Sequence, residues 1–179
     1  VGSGMNGYVN ALGVYNGNLI VGGSFTIAGG TGAVGIASWN VFNWSPLGSG
    51  MNGPVHFITV FDNKLIAGGN FTAAGGGIAN RIAWWDGLSW SALGSGLNGI
   101  VEALAVYDNS LFAGGQFTAA GNKVSAYLAQ WTKWSFVCGD LNNDGTAFTI
   151  LDLNFLVNDI FRGGPSASPS QSADFNGDG

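Results

Sequence analysis

Asp140, Asn142 and Asp144 stand at alternate positions directly before Gly145, a spacing of oxygen-bearing side chains that suits a hard divalent cation. In such a loop the oxygens at positions 1, 3 and 5 turn inward, glycine at position 6 makes the sharp turn, and a backbone carbonyl serves at position 7. Thr146 supplies that carbonyl, and Asp152 is the carboxylate that completes the set. Counted from Asp140, Asp152 is residue 13 rather than the usual 12, so one residue within 146–148 must bulge outward. A second start, Asp174, Asn176, Asp178 and Gly179, follows 34 residues after the first and breaks off before its seventh and twelfth positions. The first loop alone is therefore expected to hold calcium. An acidic Asx turn without metal is the plainer reading. Calcium is favoured because two carboxylates, an amide and the turn-making glycine coincide with a third carboxylate on the segment that follows.

That segment reads as a helix. Thr149 is its N-cap and Asp152, three residues on, the capping-box partner. Ile150, Leu153, Leu156, Val157, Ile160 and Phe161 share one helical face, and Gly163-Gly164-Pro165 ends it. The helix carries Asp152, the third carboxylate.

Everything upstream follows another rule. A Gly-Ser-Gly tripeptide returns every 46 residues, at Gly2, Gly48 and Gly94, and the intervening sequence keeps the same register. Tyr15, Phe61 and Tyr107 correspond, as do Leu19, Leu65 and Leu111. So do Gly22-Gly23, Gly68-Gly69 and Gly114-Gly115, then Phe25, Phe71 and Phe117, then Trp39, Trp85 and Trp131. Trp44 and Trp90 match each other, and Trp134 takes their place in a third copy two residues shorter at that point. The copies span about 1–46, 47–92 and 93–135, and the acidic module spans 138–179.

Within a copy the segments are short, rich in β-branched and aromatic residues, and bounded by Gly, Asn or Asp. In the second copy strands are expected at 55–61, 64–72, 81–85 and 90–93, with turns at Asp62-Asn63 and Asp86-Gly87. The predicted fold is mainly β: three four-stranded antiparallel blades of an incomplete β-propeller, with a small α module carrying the calcium loop at the C-terminus. Gly-Gly pairs fit where strands approach too closely for Cβ atoms or where a bulge is needed. The aromatic rings wedge between units that cannot close a core alone. Propellers close with about four to eight blades, so three would leave two apolar faces bare. A short solenoid of stacked hairpins is the alternative architecture.

Composition narrows the function. Of 179 residues 46% are apolar and only 8% charged, which excludes disorder. No apolar run reaches the ~20 residues of a membrane-spanning helix. The chain opens at Val1 partway through a repeat, without a leader-type segment, and reads as a piece of a longer or processed protein. The net charge of −5 is uneven: residues 1–137 balance four acids with four bases, whereas 138–179 set six acids against Arg162. A neutral scaffold with an acidic end does not attract nucleic acid. Cys138 is the one cysteine, either a small buried hydrophobe or a bridge to a partner's thiol.

Catalysis in a repeat protein requires one copy to break symmetry. Asn10, His56 and Glu102 occupy equivalent positions and read as a variable, exposed strand site rather than as a shared channel. No paired carboxylates, Ser-His-Asp set or phosphate-cradling loop appears in the repeats. The Trp residues could stack on sugars, but at repeat spacing they read as core.

The Gly-Gly and aromatic positions quoted above are similar to those of kelch-type and related Gly-rich propeller repeats of secreted bacterial proteins, over residues 1–135. Residues 138–179, a duplicated loop plus helix cut short in its second half, resemble the type I dockerin module. The entering helix of a true EF-hand is missing, because Phe136 and Cys138 lead straight from the last strand into the loop. The resemblance implies that calcium folds the module, that its helices dock onto a cohesin-type protein, and that the protein is extracellular and associated with polysaccharide-degrading assemblies. The expected function is a non-catalytic secreted or cell-surface protein whose propeller binds or displays, with carbohydrate or self-association through blade faces as possible contacts. The alternatives are a fragment of an extracellular polysaccharide-degrading enzyme with its catalytic blades missing, or a self-assembling surface or fibre subunit.

Overall fold

A computed structural model describes residues 2–132. The calcium-loop residues, the expected helix, Cys138 and the strand expected at Trp134 lie outside the described residues.

Each repeat begins with a two-stranded ribbon whose turn dictates its register. The first has β1 (Tyr8–Tyr15) and β2 (Asn18–Ser24), joined at Asn16 (φ 48°) and Gly17 (φ 75°). Two consecutive residues at positive φ make the tight turn whose twist matches paired strands, and Asn, Asp and Gly tolerate that conformation best. Asp62-Asn63 and Asp108-Asn109 serve identically, with φ between 45° and 56°. The first repeat continues through β3 (Ile27–Ala28), β4 (Thr31–Gly32), β5 (Ile36–Trp39) and β6 (Trp44–Pro46). The second has β7 (Val55–Phe61), β8 (Lys64–Gly69), β9 (Ala73–Ala74), β10 (Gly77–Ile78), β11 (Ile82–Trp85) and β12 (Trp90–Ala92). The third has β13 (Ile100–Tyr107), β14 (Ser110–Gln116), β15 (Ala119–Ala120), β16 (Lys123–Val124) and β17 (Leu128–Thr132).

The sheets are antiparallel and sequential. They run β1-β2-β5-β6 and β7-β8-β11-β12, with β13-β14-β17 as the described part of the third. No helix occurs among the described residues. The fold is thus mainly β, as expected, and β7 packs between β1 and β13. The described residues form a row of three sheets rather than a closed ring.

Several boundaries differ from the sequence reading. The strand expected over 64–72 ends at Gly69, and Phe71-Thr72 turn away into a separate hairpin, β9–β10, that repeats as β3–β4 and β15–β16. The strand expected from Arg81 begins at Ile82, because Arg81 sits at φ 66°. The connection at Asp86-Gly87 is four residues long, between the paired Trp85 and Trp90, and only Gly87 (φ 107°) takes a positive φ. Asp86 closes it as an Asx turn, its Oδ1 accepting from Leu88 N and Ser89 N at 2.7 Å each.

Alternation along the longer strands gives their sheets two apolar faces, and two of the core clusters straddle two repeats. Ile20 and Ile36 of the first repeat pack with Val55, Leu65, Ala67 and Phe71 of the second. Ile66 and Ile82 of the second pack with Val101, Leu111, Ala113 and Phe117 of the third. Val21, Phe25 and Ala37, on the opposite face of the first sheet, form a cluster confined to that repeat. Complete burial of one such side chain contributes about 1.5–3 kcal/mol, so stacking supplies stability that a single sheet lacks.

The glycine pairs act as the sequence suggests. A Cβ on Gly22 would fall 2.7 Å from Val55 Cγ1, and one on Gly68 would fall 2.7 Å from Val101 Cγ1. Their neighbours Gly23, Gly69 and Gly115 lie against the carbonyls of Tyr8, Pro54 and Ile100, where any Cβ would collide with backbone. Opposite each pair the first strand bulges, between Val9 and Ala11, Val55 and Phe57, and Val101 and Ala103.

Candidate functional site

The extra residue of each bulge is Asn10, His56 or Glu102, the three positions that break repeat symmetry. A bulge turns its extra residue out of the pleat, so these side chains are presented by their strands rather than buried between sheets. Asn10 and Glu102 are exposed, and His56 is half-buried. Asn10 Nδ2 donates to the Val55 carbonyl at 3.0 Å, bonding the first repeat to the second. Glu102 Oε1 accepts from Gln116 Nε2 at 2.6 Å, within its own repeat. The two are thus engaged in separate local bonds.

The aromatic side chains take core places. Trp44, Trp85 and Trp90 are buried, and the remaining described Trp residues are half-buried. Trp39 and Trp44 meet at 5.2 Å with planes tilted by 43°, and Trp85 and Trp90 at 5.4 Å and 47°. Trp90 Nε1 donates to the Leu47 carbonyl at 2.9 Å, tying the last strand of the second repeat to the segment that begins it. Lys64 Nζ lies 4.0 Å above the Trp84 ring, a cation–π contact on a part-exposed edge.

A cleft of about 370 Å³ lies between the first and second repeats. Its polar lining comes from Asn6, Ser24, Thr26 and Asn52, and its apolar lining includes Phe25, Val34, Met51 and Pro54. None of these lining side chains is an acid or base, so they offer the cleft no proton-transfer group.

Asn6 and Asn52 belong to a structural device that sequence reasoning passed over. Asn6 Oδ1 accepts from Thr26 N and Ile27 N while its Nδ2 donates to Thr26 Oγ1, each at 2.8 Å. Asn52 and Asn98 repeat the pattern on Thr72-Ala73 and Thr118-Ala119 at 2.8 to 3.0 Å. One amide therefore fixes the entry of every small hairpin. The 46-residue recurrence of Asn two places after each Gly-Ser-Gly was the available signal.

Another recurring position is strained in two copies. Gly35 has φ 70°, and its equivalents Arg81 and Tyr127 have φ 66° and 65°. Each donates the same backbone bond. Gly35 N donates to Phe25 O, Arg81 N to Phe71 O and Tyr127 N to Phe117 O, all at 2.9 Å. The left-handed conformation is required by the loop, and only the first copy meets it with glycine.

The expected calcium ligands Asp140, Asn142, Asp144, Thr146 and Asp152, and the partial set Asp174, Asn176 and Asp178, all lie outside the described residues. Among the described residues no three His, Cys, Asp or Glu side chains gather closely enough to hold a metal ion.

The described residues define a repetitive antiparallel-sheet protein, stacked through glycine and aromatic positions. No family model matches the chain, and no curated protein matches it. Among solved structures it is similar to the computationally designed Ika4 protein, at 16% identity over 74% of this chain and 95% of that one, with a TM-score of 0.34.

Proposed function

We propose that this chain is a non-catalytic, secreted or cell-surface display scaffold, tethered through a calcium-dependent dockerin-like module to a cohesin-type partner. On this reading the three sheets are blades of a propeller whose ring needs further blades. The observation that carries it is the pair of Asp-x-Asn-x-Asp-Gly starts, Asp140 to Gly145 and Asp174 to Gly179, spaced 34 residues apart. Asp140, Asn142, Asp144, the Thr146 carbonyl and Asp152 would hold calcium, which supplies the charge that the clustered carboxylates need in order to pack together. The repeats support a scaffold role. Their amides fix hairpins, their Trp rings pack between strands, and the lining of the cleft between the first two repeats holds no acid or base.

The test is circular dichroism and thermal unfolding of the whole chain with calcium or with EDTA. Calcium is expected to add helical signal and raise the unfolding temperature of the acidic module. The double variant Asp140→Ala/Asp144→Ala is expected to lose both effects. Identical spectra and melting curves in the two buffers would refute the tether.

A further inference from the structure

We infer that the cleft between the first and second repeats is a seat for a guanidinium group, and that the chain shows the occupied form of that seat one repeat further on. The inference rests on the repeats alone and is independent of the calcium reading.

The two internal boundaries share one backbone frame. Gly35 and Arg81 stand 46 residues apart, at φ 70° and 66°. Gly35 N donates to Phe25 O and Arg81 N to Phe71 O, both at 2.9 Å. The neighbouring residues close the frame alike, with Met51 N donating to Val34 O at 3.1 Å and Leu97 N to Asn80 O at 3.0 Å. What differs is the side chain. Arg81 Nη1 reaches back to the Phe71 carbonyl at 3.2 Å, and the residue is half-buried. At the first boundary glycine contributes no side chain, and the cleft of about 370 Å³ lies there, with Phe25, Gly35, Met51 and Gly53 among its walls.

The direction of position 35 ties the two observations together. A Cβ on Gly35 would meet the Gly53 carbonyl oxygen and Met51 Cβ at 3.3 Å each, and both residues line the cleft. A side chain there starts toward the cleft, as the Arg81 side chain does at its own boundary. The Phe25 carbonyl is the counterpart of the Phe71 carbonyl that takes Arg81 Nη1. Phe71 O accepts from both Arg81 N and Arg81 Nη1, so its bond to the backbone leaves room for a second donor.

The chemistry selects a guanidinium over other cations. It is planar, carries five N–H donors and no acceptor, and is less strongly hydrated than an ammonium. Carbonyl oxygens suit it where the walls hold no carboxylate, and the apolar surface of Met51 and Pro54 suits its flat face and the stem that carries it. A compact ammonium gives up more hydration for fewer directed bonds.

The experiment is an NMR titration of the isotope-labelled whole chain with methylguanidinium chloride, with methylammonium chloride as the matched salt. Saturable shifts of the Gly35 and Gly53 amide signals are expected, with methylammonium at least about 10-fold weaker. No shift, shifts scattered over the surface, or an equal response to the two salts would overturn the inference. Gly35→Arg places the chain's own guanidinium in the cleft and is expected to lose the response. Arg81→Gly, whose backbone conformation glycine accepts readily, is expected to gain a second set of shifts around Phe71 and Gly99. An Arg81→Gly chain with an unchanged circular dichroism spectrum and no second set would overturn the equivalence on which the seat rests. N-acetylarginine amide separates the sources of the group. Tighter binding than methylguanidinium assigns the seat to a peptide arginine, and equal or weaker binding assigns it to a small guanidinium compound; the seat stands on either result.

Discussion

Val55 occupies the space that a side chain at residue 22 would need, its Cγ1 standing 2.7 Å from where a Cβ on Gly22 would lie. Val101 stands in the same relation to Gly68. The first glycine of the pair in each of the first two repeats is thus a seat for the next repeat, not a loosening of the strand.

Gly22→Ala forces two packed sheets apart or Val55 off its rotamer, because Val55 itself is fully buried. The expected cost is about 1–3 kcal/mol, the usual penalty of overpacking. Gly32→Ala is the matched control, since a Cβ there meets nothing within 4 Å. Its effect is expected to stay within about 0.5 kcal/mol. Urea midpoints of the two variants test the contrast, and equal midpoints would remove the seat.

Asn52→Ala strips two acceptor bonds and one donor bond from the start of the hairpin at Thr72-Ala73. The site is exposed, so water replaces part of the loss, and the expected destabilisation is about 1–2 kcal/mol. Asn52→Asp retains the acceptor and is expected to fall between wild type and alanine. Hydrogen exchange at Thr72 and Ala73 is the local readout, expected to quicken in the alanine variant.

Val41 takes φ 79° in the turn between β5 and β6, where Gly87 serves in the second repeat. A β-branched residue is poorly suited to that conformation, and Val41 is largely exposed, so little packing is lost with its side chain. Val41→Gly is expected to raise stability by about 1 kcal/mol. A lower urea midpoint would show that the turn does not hold the valine under strain.

Asp86 has its carboxyl held below the ordinary 3.8, first by the Ser89 backbone N–H and then by that of Leu88. A depressed folded pKa means that the contribution is complete above the ordinary carboxylate pKa and is lost as pH falls through the folded value. Asp86→Asn keeps the acceptor without the charge, as Asn40 does at the same place in the first repeat, accepting from Phe42 N at 3.1 Å and Asn43 N at 2.8 Å. Wild type is therefore expected to lose stability relative to Asp86→Asn as pH drops below about 4. A difference that stays flat from neutral pH downward would contradict the assignment.

The repeat period made much of the fold legible, because copies that must stack place the same residue type at the same contact. Gly22-Gly23, the Asp62-Asn63 turn and the core role of the Trp residues all follow from it. The small hairpins were missed because two-residue strands such as Ala73–Ala74 are too short to show alternation, and Gly-rich flanks hide them. The Asp86 connection was read as a two-residue turn because Asp-Gly favours one, whereas Trp85 and Trp90 pair two residues further out. Arg81 was placed in a strand on propensity, yet loop closure fixes it at positive φ. The acidic module was readable only as ligand spacing, which states what could bind but not how its side chains are arranged.

The tether rests on one measurement above the others, a calorimetric titration of the whole chain with calcium. Saturable heat near one ion per chain is expected, and the Asp140→Ala/Asp144→Ala variant should lose it. A flat titration up to millimolar calcium, where extracellular modules of this type still bind, would contradict the proposed function and leave a stacked-sheet protein without a calcium-dependent anchor.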